Sequence, residues 1–275
     1  MKMEAIFEQT HKLPTIPKVV QELIDSFNQE DVDIGEIGRK IALDQVITAK
    51  VLRLANSAHY GAARQIGTIE EAVIVLGFNT LRTLVVASGV TGAFVATPGF
   101  DRQKFWQRSV AVASTAKWLG KFAKINPDGA FTAGLIHNIG ELLIHIVVPE
   151  IATKIDAAVK SGANRVSLED VQIGFDYVMV GEELTRRWNF PAETQQAIKF
   201  QATPLTQQPF SKLSGVLHLA IYLTDALDDN IPAADIVQDC PAEVVEKLGL
   251  DIESIVEGLP EAMKMGSELS DMLSR

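Results

Sequence analysis

Apolar residues recur at the spacing of an α-helix along almost the whole chain. The first run begins at Pro17 and places apolar residues at i, i+1, i+4, i+5 and i+8, namely at Val19, Val20, Leu23, Ile24 and Phe27. This spacing is typical of an amphipathic helix. The same periodicity predicts helices at residues 33–43, 46–56, 69–76, 81–90, 105–122, 127–148, 175–188, 191–200 and 213–227, with further helical patterns after residue 232.

Capping residues mark several of these predicted helix starts. A Ser, Thr or Asp is followed three residues later by an acidic residue at Asp33, Thr68 and Ser167, which is the pattern of a capping box. Pro149 suits the first turn of another helix. Alternating period-2 strands with hairpin turns are nearly absent. We therefore expect an all-α fold.

The Pro98-Gly99 dipeptide is the clearest interruption along the chain. Short helices joined by tight turns precede it, and longer helices that carry Trp106 and Trp188 follow it. We place a boundary near residues 97–101 and expect two lobes that share a packed interface. The predicted organisation is an N-terminal helical lobe at 1–98, a second helical lobe at 99–232 and an acidic helical C-terminal extension at 233–275.

Charge is distributed unevenly along the chain. The formal net charge is −10, yet the 225–261 segment holds eleven acidic residues against one basic residue, Lys247, and the rest of the chain is neutral. A neutral body with an acidic segment has no general attraction for polyphosphates, so we do not expect nucleic acid as a partner. The acidic segment is either a solvated helical cap or a surface that binds a partner.

The compartment is predicted from cysteine usage and from the N-terminus. The one cysteine, Cys240, excludes a disulfide framework and fits a reducing compartment, where it is a bystander thiol. Residues 1–20 lack the features of a secretory signal. The uncharged run at 83–100 is interrupted by small and polar residues and is read as buried helix and loop. We therefore expect a soluble, cytoplasmic protein that does not bind a membrane.

A series of short motifs follows in order between residues 13 and 225. They are Leu13-Pro14-Thr15-Ile16-Pro17, Asp44, Leu52-Arg53-Leu54-Ala55-Asn56-Ser57-Ala58-His59-Tyr60-Gly61, Ile69-Glu70-Glu71-Ala72 with Leu76-Gly77, Phe105-Trp106-Gln107-Arg108-Ser109, Ala133-Gly134-Leu135-Ile136-His137-Asn138-Ile139-Gly140, Gly174-Phe175-Asp176 and Arg187-Trp188-Asn189-Phe190-Pro191. In their order and spacing they resemble the HDOD domains, helical relatives of the HD phosphohydrolases found in bacterial signalling proteins. The resemblance implies a multi-helix bundle of two packed lobes, the second HD-phosphohydrolase-like, and a regulatory role in signal transduction.

The resemblance also implies where an ancestral metal site would lie. An HD phosphohydrolase uses a first histidine, an adjacent His-Asp pair and a later aspartate to hold divalent ions that activate water. The matching positions here are Arg108, His137-Asn138 and Ile221, with Asp225 one turn further as a substitute. A guanidinium cannot ligate a cation, and an amide lacks the negative charge of a carboxylate. We therefore expect a degenerate metal site, assign no catalytic residue and expect no cofactor.

A different set of residues offers an alternative metal site. His137, Glu141 and His145 are spaced i, i+4 and i+8 within the predicted 127–148 helix, so they would share one stripe. The outer two would lie about 12 Å apart by helical rise, so one ion cannot bind all three without another helix. They are either hydrogen-bonded residues without a metal, which is the usual state of buried polar groups, or a vestigial metal site.

Other candidate residues have both a structural and a functional interpretation. Asn56, Ser57 and Tyr60 stand where a helix is predicted to end, so they either cap free backbone groups or contact a partner or ligand. The two tryptophans at 106 and 188 are predicted as core anchors. The chain has no phosphate-binding loop with Lys-Ser/Thr and no Gly-x-Ser-x-Gly motif.

Three functions remain open from the sequence. The first is a non-enzymatic signalling module that binds another signalling protein on a separate chain. The second is a metal-dependent phosphohydrolase with atypical ligands that acts on nucleotides or cyclic dinucleotides and requires a divalent metal. The third is a sensor for a nucleotide-like ligand, in which Arg108 binds an anion. The missing metal ligands favour the first function, since chemistry depends on the site and not on the fold.

Overall fold

The computed structural model of the protein describes residues 2–8, 15–26, 32–56, 65–94 and 99–260. Before residue 95 the helices are α1 Glu4–Glu8, α2 Lys18–Asp25, α3 Ile34–Leu43, α4 Gln45–Ala55, α5 Ile69–Leu76 and α6 Phe78–Ala93. From residue 99 they are α7 Arg102–Phe122, α8 Pro127–Ile136, α9 Ile139–Val147, α10 Pro149–Val159, α11 Arg165–Ile173, α12 Tyr177–Arg187, α13 Ala192–Lys199, α14 Lys212–Asp228, α15 Ala233–Gln238 and α16 Ala242–Leu248. Residues 252–260 are also helical, and no strand occurs within these described ranges. The predicted all-α fold is confirmed.

Two of the predicted helix starts are formed by the expected caps. The Asp33 carboxylate accepts a hydrogen bond from the Glu36 N–H at 2.9 Å at the start of α3. The Thr68 hydroxyl accepts one from the Glu71 N–H at 3.1 Å at the start of α5. Each bond satisfies a backbone donor that the first helical turn leaves free. Local sequence therefore determines where these two helices begin.

The prediction of one helix over 127–148 is wrong, because the chain turns at His137-Asn138 between α8 and α9. The His137 Nδ1–H donates to the Gly134 carbonyl at 2.7 Å, the acceptor that the Asn138 N–H would use in a continuous helix. The Gln201 amide donates to the His137 carbonyl at 2.9 Å. Side chains thus donate to two backbone carbonyls that would accept from backbone N–H groups in a continuous helix. The break places His137 at a helix junction.

The start predicted at Ser167 is also wrong. Helix α11 begins two residues earlier, and its N-cap is Asn164, whose side chain accepts a hydrogen bond from the Ser167 N–H at 2.9 Å. Asparagine at this position is as good an N-cap as serine. The Ser167 backbone therefore receives the cap and does not provide it.

The apolar faces of the helices meet in one continuous hydrophobic core. The core draws on helices on both sides of residues 95–98, and α6 packs directly against α8. At its centre, the Phe94 ring lies 6.2 Å from the ring of Trp106 and 6.2 Å from that of Trp188, centroid to centroid. Both tryptophans are buried, as predicted for core anchors. The boundary near residues 97–101 stays a prediction.

The described part of the acidic C-terminal extension, residues 233–260, packs onto the body through its apolar side. The Tyr222 hydroxyl of α14 donates to the Ile236 carbonyl of α15 at 2.8 Å. Apolar residues of α16 and of the 252–260 helix are buried in the common core, among them Leu248 and Leu259. The acidic residues consequently lie on the outward side of helices whose inner side completes the bundle.

Within the described residues, one stretch is long and apolar enough to cross a bilayer by length and composition. It is Pro127–Val147, which comprises α8 and α9, and 89% of its most apolar window is buried inside the protein. Core helices commonly pass the same test, so the stretch is weak evidence for a membrane span. The described helical part of the uncharged run at 83–100 belongs to α6, whose 16 residues are too few to pass the test.

Candidate functional site

Four parts of the fold bring the predicted site residues together. Helix α7 carries Arg108, the turn between α8 and α9 carries His137 and Asn138, and α14 carries Asp225. The loop after α13 contributes Gln201, which supports the His137 carbonyl from behind. The α8–α9 break is what turns the His137 ring toward α7. The site therefore depends on the helix interruption described above.

Arg108 and Asp225 form a bidentate ion pair across the bundle. Arg108 Nε and Nη2 donate to Asp225 Oδ1 at 3.0 and 2.7 Å, and Nη2 donates to Oδ2 at 3.0 Å. The matched position Ile221 instead packs against the hydrophobic core. The carboxylate that meets position 108 is thus the substitute Asp225, and Ile221 supplies no polar atom.

His137 is a neutral ring whose free nitrogen faces the guanidinium. A carbonyl oxygen accepts only, so the 2.7 Å contact with Gly134 O places the ring hydrogen on Nδ1. The Nε2 lone pair then accepts from Arg108 Nη1 at 3.2 Å. Complete burial, reinforced by the Arg108 positive charge, lowers the pKa of His137 from 6.5 to about 3. A charged imidazolium is therefore excluded here at neutral pH.

Asn138 is turned away from this group. Ser109 Oγ lies 3.0 Å from Asn138 Oδ1 and 2.9 Å from the Phe105 carbonyl oxygen, so its one hydroxyl hydrogen is shared between these two acceptors. Ser109 is fully buried and Asn138 almost so. The Asn138 side chain thus connects the helix junction to α7. An aspartate at this position would place a negative charge beside the buried Ser109 hydroxyl.

The residues at this site do not fit the divalent ion that HD phosphohydrolases hold. The two ligating atoms that remain, His137 Nε2 and the Asp225 carboxylate, are both hydrogen-bonded to the Arg108 guanidinium. A permanent positive charge at the centre of the group repels a cation. Over the described part of the chain, no group of three or more His, Cys, Asp or Glu residues is arranged to bind a metal ion.

The alternative metal stripe of His137, Glu141 and His145 is not formed, because His137 precedes the start of α9 and is not on the same helix. Both ring nitrogens of His145 have hydrogen-bond partners of their own. Its Nδ1 lies 2.9 Å from the Glu141 carbonyl and its Nε2 lies 2.8 Å from Asp156 Oδ2. The hydrogen-bonded interpretation of His145 is the one that the geometry supports.

His145 belongs to a second charged network that the sequence analysis missed. At its centre, Arg165 of α11 contacts three carboxylates: Asp156 of α10, Glu141 of α9 at 3.4 Å and Glu169 of α11 at 3.2 Å. The Arg165–Glu169 spacing of i, i+4 is a sequence signal for such a pair. The other contacts depend on how α9, α10 and α11 pack, which no local pattern specifies.

Burial and hydrogen bonding shift the protonation of this network. Glu169 is fully buried, and desolvation raises the pKa of its carboxyl to about 7 although Tyr177 N–H donates to it at 2.7 Å. Burial lowers the pKa of His145, but the hydrogen bonds to Asp156 and to the Glu141 carbonyl outweigh it and raise the pKa above 6.5. Both groups consequently retain protons more strongly than in water.

Asn56 has a structural role in the described fold. Its Nδ2 donates to the Leu52 and Ile66 carbonyls, and its Oδ1 accepts from the Ile66 N–H, each at 2.7 Å. The side chain thus closes the end of α4 against the segment that leads into α5. Ser57 and Tyr60 lie outside the described residues. Cys240 is a free, half-buried thiol whose pKa is raised by burial, which makes it unreactive.

Comparison with known proteins places this geometry in a family context. The family model for the HDOD domain matches residues 13–204. A crystal structure named "Putative phosphohydrolase", from Shewanella amazonensis SB2B, is 37% identical, covers 99% of this chain and 100% of its own, and superposes with a TM-score of 0.84. An HDOD domain protein with unknown function from Geobacter sulfurreducens is 24% identical, with 98% of this chain and 97% of its own covered and a TM-score of 0.83.

Two further relatives are longer than this chain. A "Putative signal transduction protein" from Marinobacter aquaeolei VT8 is 23% identical with a TM-score of 0.78, and the match covers 98% of this chain and 61% of the other. An uncharacterized protein from Treponema pallidum (strain Nichols) is 24% identical over 235 residues, which is 83% of this chain. The match spans 45% of the length of that curated relative. At these identities the likeness shows the fold alone.

Proposed function

This chain belongs to the HDOD domain family, and on that premise we propose that it is a signalling module that acts by binding another protein and not by metal-dependent hydrolysis. The observation that carries the proposal is the guanidinium of Arg108 between His137 and Asp225. The names of the family relatives include both phosphohydrolase and signal transduction protein. The chemistry of the site is therefore the basis for choosing between them.

The Arg108 side chain takes the place that the resemblance assigns to a first metal-binding histidine. Its guanidinium donates to the same two groups, an imidazole nitrogen and a carboxylate, that would otherwise bind a divalent ion. A metal would have to displace a tethered cation from a bidentate pair and then remain beside its charge. We infer that the site has exchanged an ion for a fixed positive charge, which stabilises the bundle without activating water.

The same contacts weigh against the ligand-sensor alternative, in which Arg108 binds an anion. The Nε, Nη1 and Nη2 atoms of Arg108 each donate to Asp225 or to His137. The carboxylates of Asp225 and Asp228 lie on the same side, and Asp228 has its pKa raised by burial and by the charge of Asp225 in spite of Arg108. The two acidic residues beside the guanidinium would therefore repel an incoming anion.

The test is the metal content of the purified protein, measured by elemental mass spectrometry after soaking in manganese, iron or zinc. We expect far less than one equivalent of each ion and no hydrolysis of bis(p-nitrophenyl) phosphate. A Cys240→Ser variant controls for zinc bound by the free thiol. A near-stoichiometric ion that is lost in His137→Ala, together with phosphodiesterase activity, would overturn the proposal in favour of the phosphohydrolase alternative.

A further inference from the structure

Helix α4 presents an outward stripe that joins apolar and basic residues. Val46 is 67% exposed, and Lys50 and Arg53 follow it at i+4 and i+7, so the three lie along one face of the helix. Leu43, the last residue of α3, is 84% exposed next to the start of that stripe. Two large apolar side chains this exposed and this close together mark a surface that another molecule can cover.

Leu43 and Val46 also line an open groove of about 610 Å³ that reaches Pro17 and Val19 at the start of α2. The acidic side chains in the groove are already used by the fold. The Asp44 carboxylate accepts from two backbone N–H groups in the first turn of α4. Glu22 forms an ion pair with Lys40 at 3.0 Å. The groove therefore offers apolar contact, and the donors bonded to its two acidic side chains partly offset their repulsion of an incoming carboxylate.

The basic end of the α4 stripe gathers like charges. Arg102, the first residue of α7, is close enough to Lys50 for its charge to act on that lysine. Burial, together with the positive charges of Arg102 and Arg53, lowers the pKa of Lys50. Arg102 donates to the Thr91 carbonyl at 2.9 Å, and none of the three bases forms an ion pair with an acidic residue in the described ranges. Mutual repulsion that no carboxylate offsets is relieved when an acidic partner binds.

We propose that Leu43, Val46, Lys50 and Arg53, with Arg102, form a docking surface for an acidic amphipathic segment of a partner protein. Apolar side chains of the segment contact Leu43 and Val46, and its carboxylates pair with the three bases. The inference rests on the proposed role as a binding module and adds the surface and the chemistry of its partner. Helical segments with one apolar and one charged side are a common mode of recognition.

Two other polyanionic partners fit less well. The net charge of −10 and the outward acidic residues of the C-terminal extension repel both a membrane surface and nucleic acid. A short protein segment presents fewer negative charges to the acidic extension than a membrane or a duplex does, so it is the occupant that charge favours.

The experiment measures binding of a fluorescein-labelled synthetic helix of leucine and glutamate by anisotropy. We expect saturable binding to the wild-type protein that weakens about tenfold or more in Lys50→Glu/Arg53→Glu. Leu43→Ser/Val46→Ser should weaken it as well. Lys154→Glu/Lys160→Glu is the matched control, because it makes the same change in net charge at two exposed lysines of α10 and its neighbour. Circular dichroism establishes that each variant is folded.

Three results would overturn the docking proposal. The first is equal peptide binding by the two charge-reversal variants, and the second is equal binding of a leucine and lysine peptide. The third is binding of duplex DNA or phosphatidylserine vesicles through Lys50 and Arg53 in the absence of peptide binding. Stoichiometric metal would contradict the proposed function and leave the peptide result unaffected, so the two failures are distinguishable.

Discussion

Arg108 of α7 and Asp225 of α14 are joined by three hydrogen bonds although 117 residues separate them in the sequence. The remaining guanidinium nitrogen donates to His137 at the α8–α9 junction. One side chain therefore fastens three separate parts of the bundle. The Asp225 side chain is 45% exposed, so water screens the pair and its contribution to stability is modest. The charge of Arg108 also lowers the pKa of the buried His137 ring.

That effect predicts a change in the titration of His137 when Arg108 is replaced. In Arg108→Met we expect the pKa of His137 to rise from about 3, because a nearby positive charge is removed. The pKa should remain below 6.5, because burial is the larger cause of the shift. The ring Cε1–H signal of His137 followed by proton NMR against pH measures it.

Lys104→Met is the control, since it removes an exposed base from the same helix that has no contact with the ring. It should leave the His137 signal unchanged. A wild-type His137 that titrates near pH 6.5 would contradict the buried, neutral ring. The same pKa in wild type and Arg108→Met would show that Arg108 does not act on it.

The charged network around Arg165 predicts that stability falls as pH rises between about pH 5 and 8. Glu169 and His145 both have folded pKa values above their unfolded values. The contribution of each group to folding stability is fully present below its unfolded pKa. It is lost as pH rises through the folded pKa, which is about 7 for Glu169. Asp156 has a lowered pKa, so its contribution is lost only in acid, below this window.

For Glu169 the rise from 4.5 to about 7 corresponds to roughly 3 kcal/mol at most. Urea unfolding at several pH values measures the slope. Glu169→Gln cannot titrate and keeps an oxygen for Tyr177 N–H, so it should flatten the curve between about pH 5 and 7. An unchanged slope in this variant would assign the pH dependence to other groups.

The fold could be predicted from the sequence wherever local chemistry decides it. The caps at Asp33 and Thr68 act within three residues, and both helices start where predicted. The break after Ile136 could not be predicted, because the Gln201 side chain that takes the His137 carbonyl lies 64 residues away. A continuous apolar run such as 127–148 contains no signal for such a long-range hydrogen bond.

Only part of the candidate site could be predicted from the sequence. The resemblance to a family pattern identifies Arg108 and His137, and it offers Asp225 only as a substitute for Ile221. The direction of a side chain one turn along α14 decides between those two, and sequence spacing alone does not give it. The network of Arg165 and Asp156 was missed, because it requires the relative placement of three helices.

Asn56→Ala tests whether Asn56 is structural or a partner contact. The variant loses three hydrogen bonds to backbone groups of Leu52 and Ile66, so we expect a loss of about 1–3 kcal/mol in the free energy of unfolding. Chemical denaturation measures the change. Asn56→Asp keeps the acceptor for Ile66 N–H and should lose less. Unchanged stability in Asn56→Ala would restore the partner-contact interpretation.

Close contact between α9 and α12 predicts a strong effect at Gly140. A Cβ added there would lie 2.7 Å from the Gly181 backbone nitrogen and closer still to the Tyr177 carbonyl oxygen. Backbone atoms cannot move aside as a side chain does, so Gly140→Ala must separate the two helices at a cost of about 1–3 kcal/mol or more. The separation would also displace the α8–α9 turn that positions His137.

Gly129→Ala in α8 is the matched control, because its nearest neighbours would lie 3.7 Å away and alanine favours the helix. Thermal unfolding of the two variants should therefore differ in direction, with Gly140→Ala destabilised and Gly129→Ala unchanged or slightly stabilised. Equal melting temperatures would show that α9 and α12 do not pack at this distance.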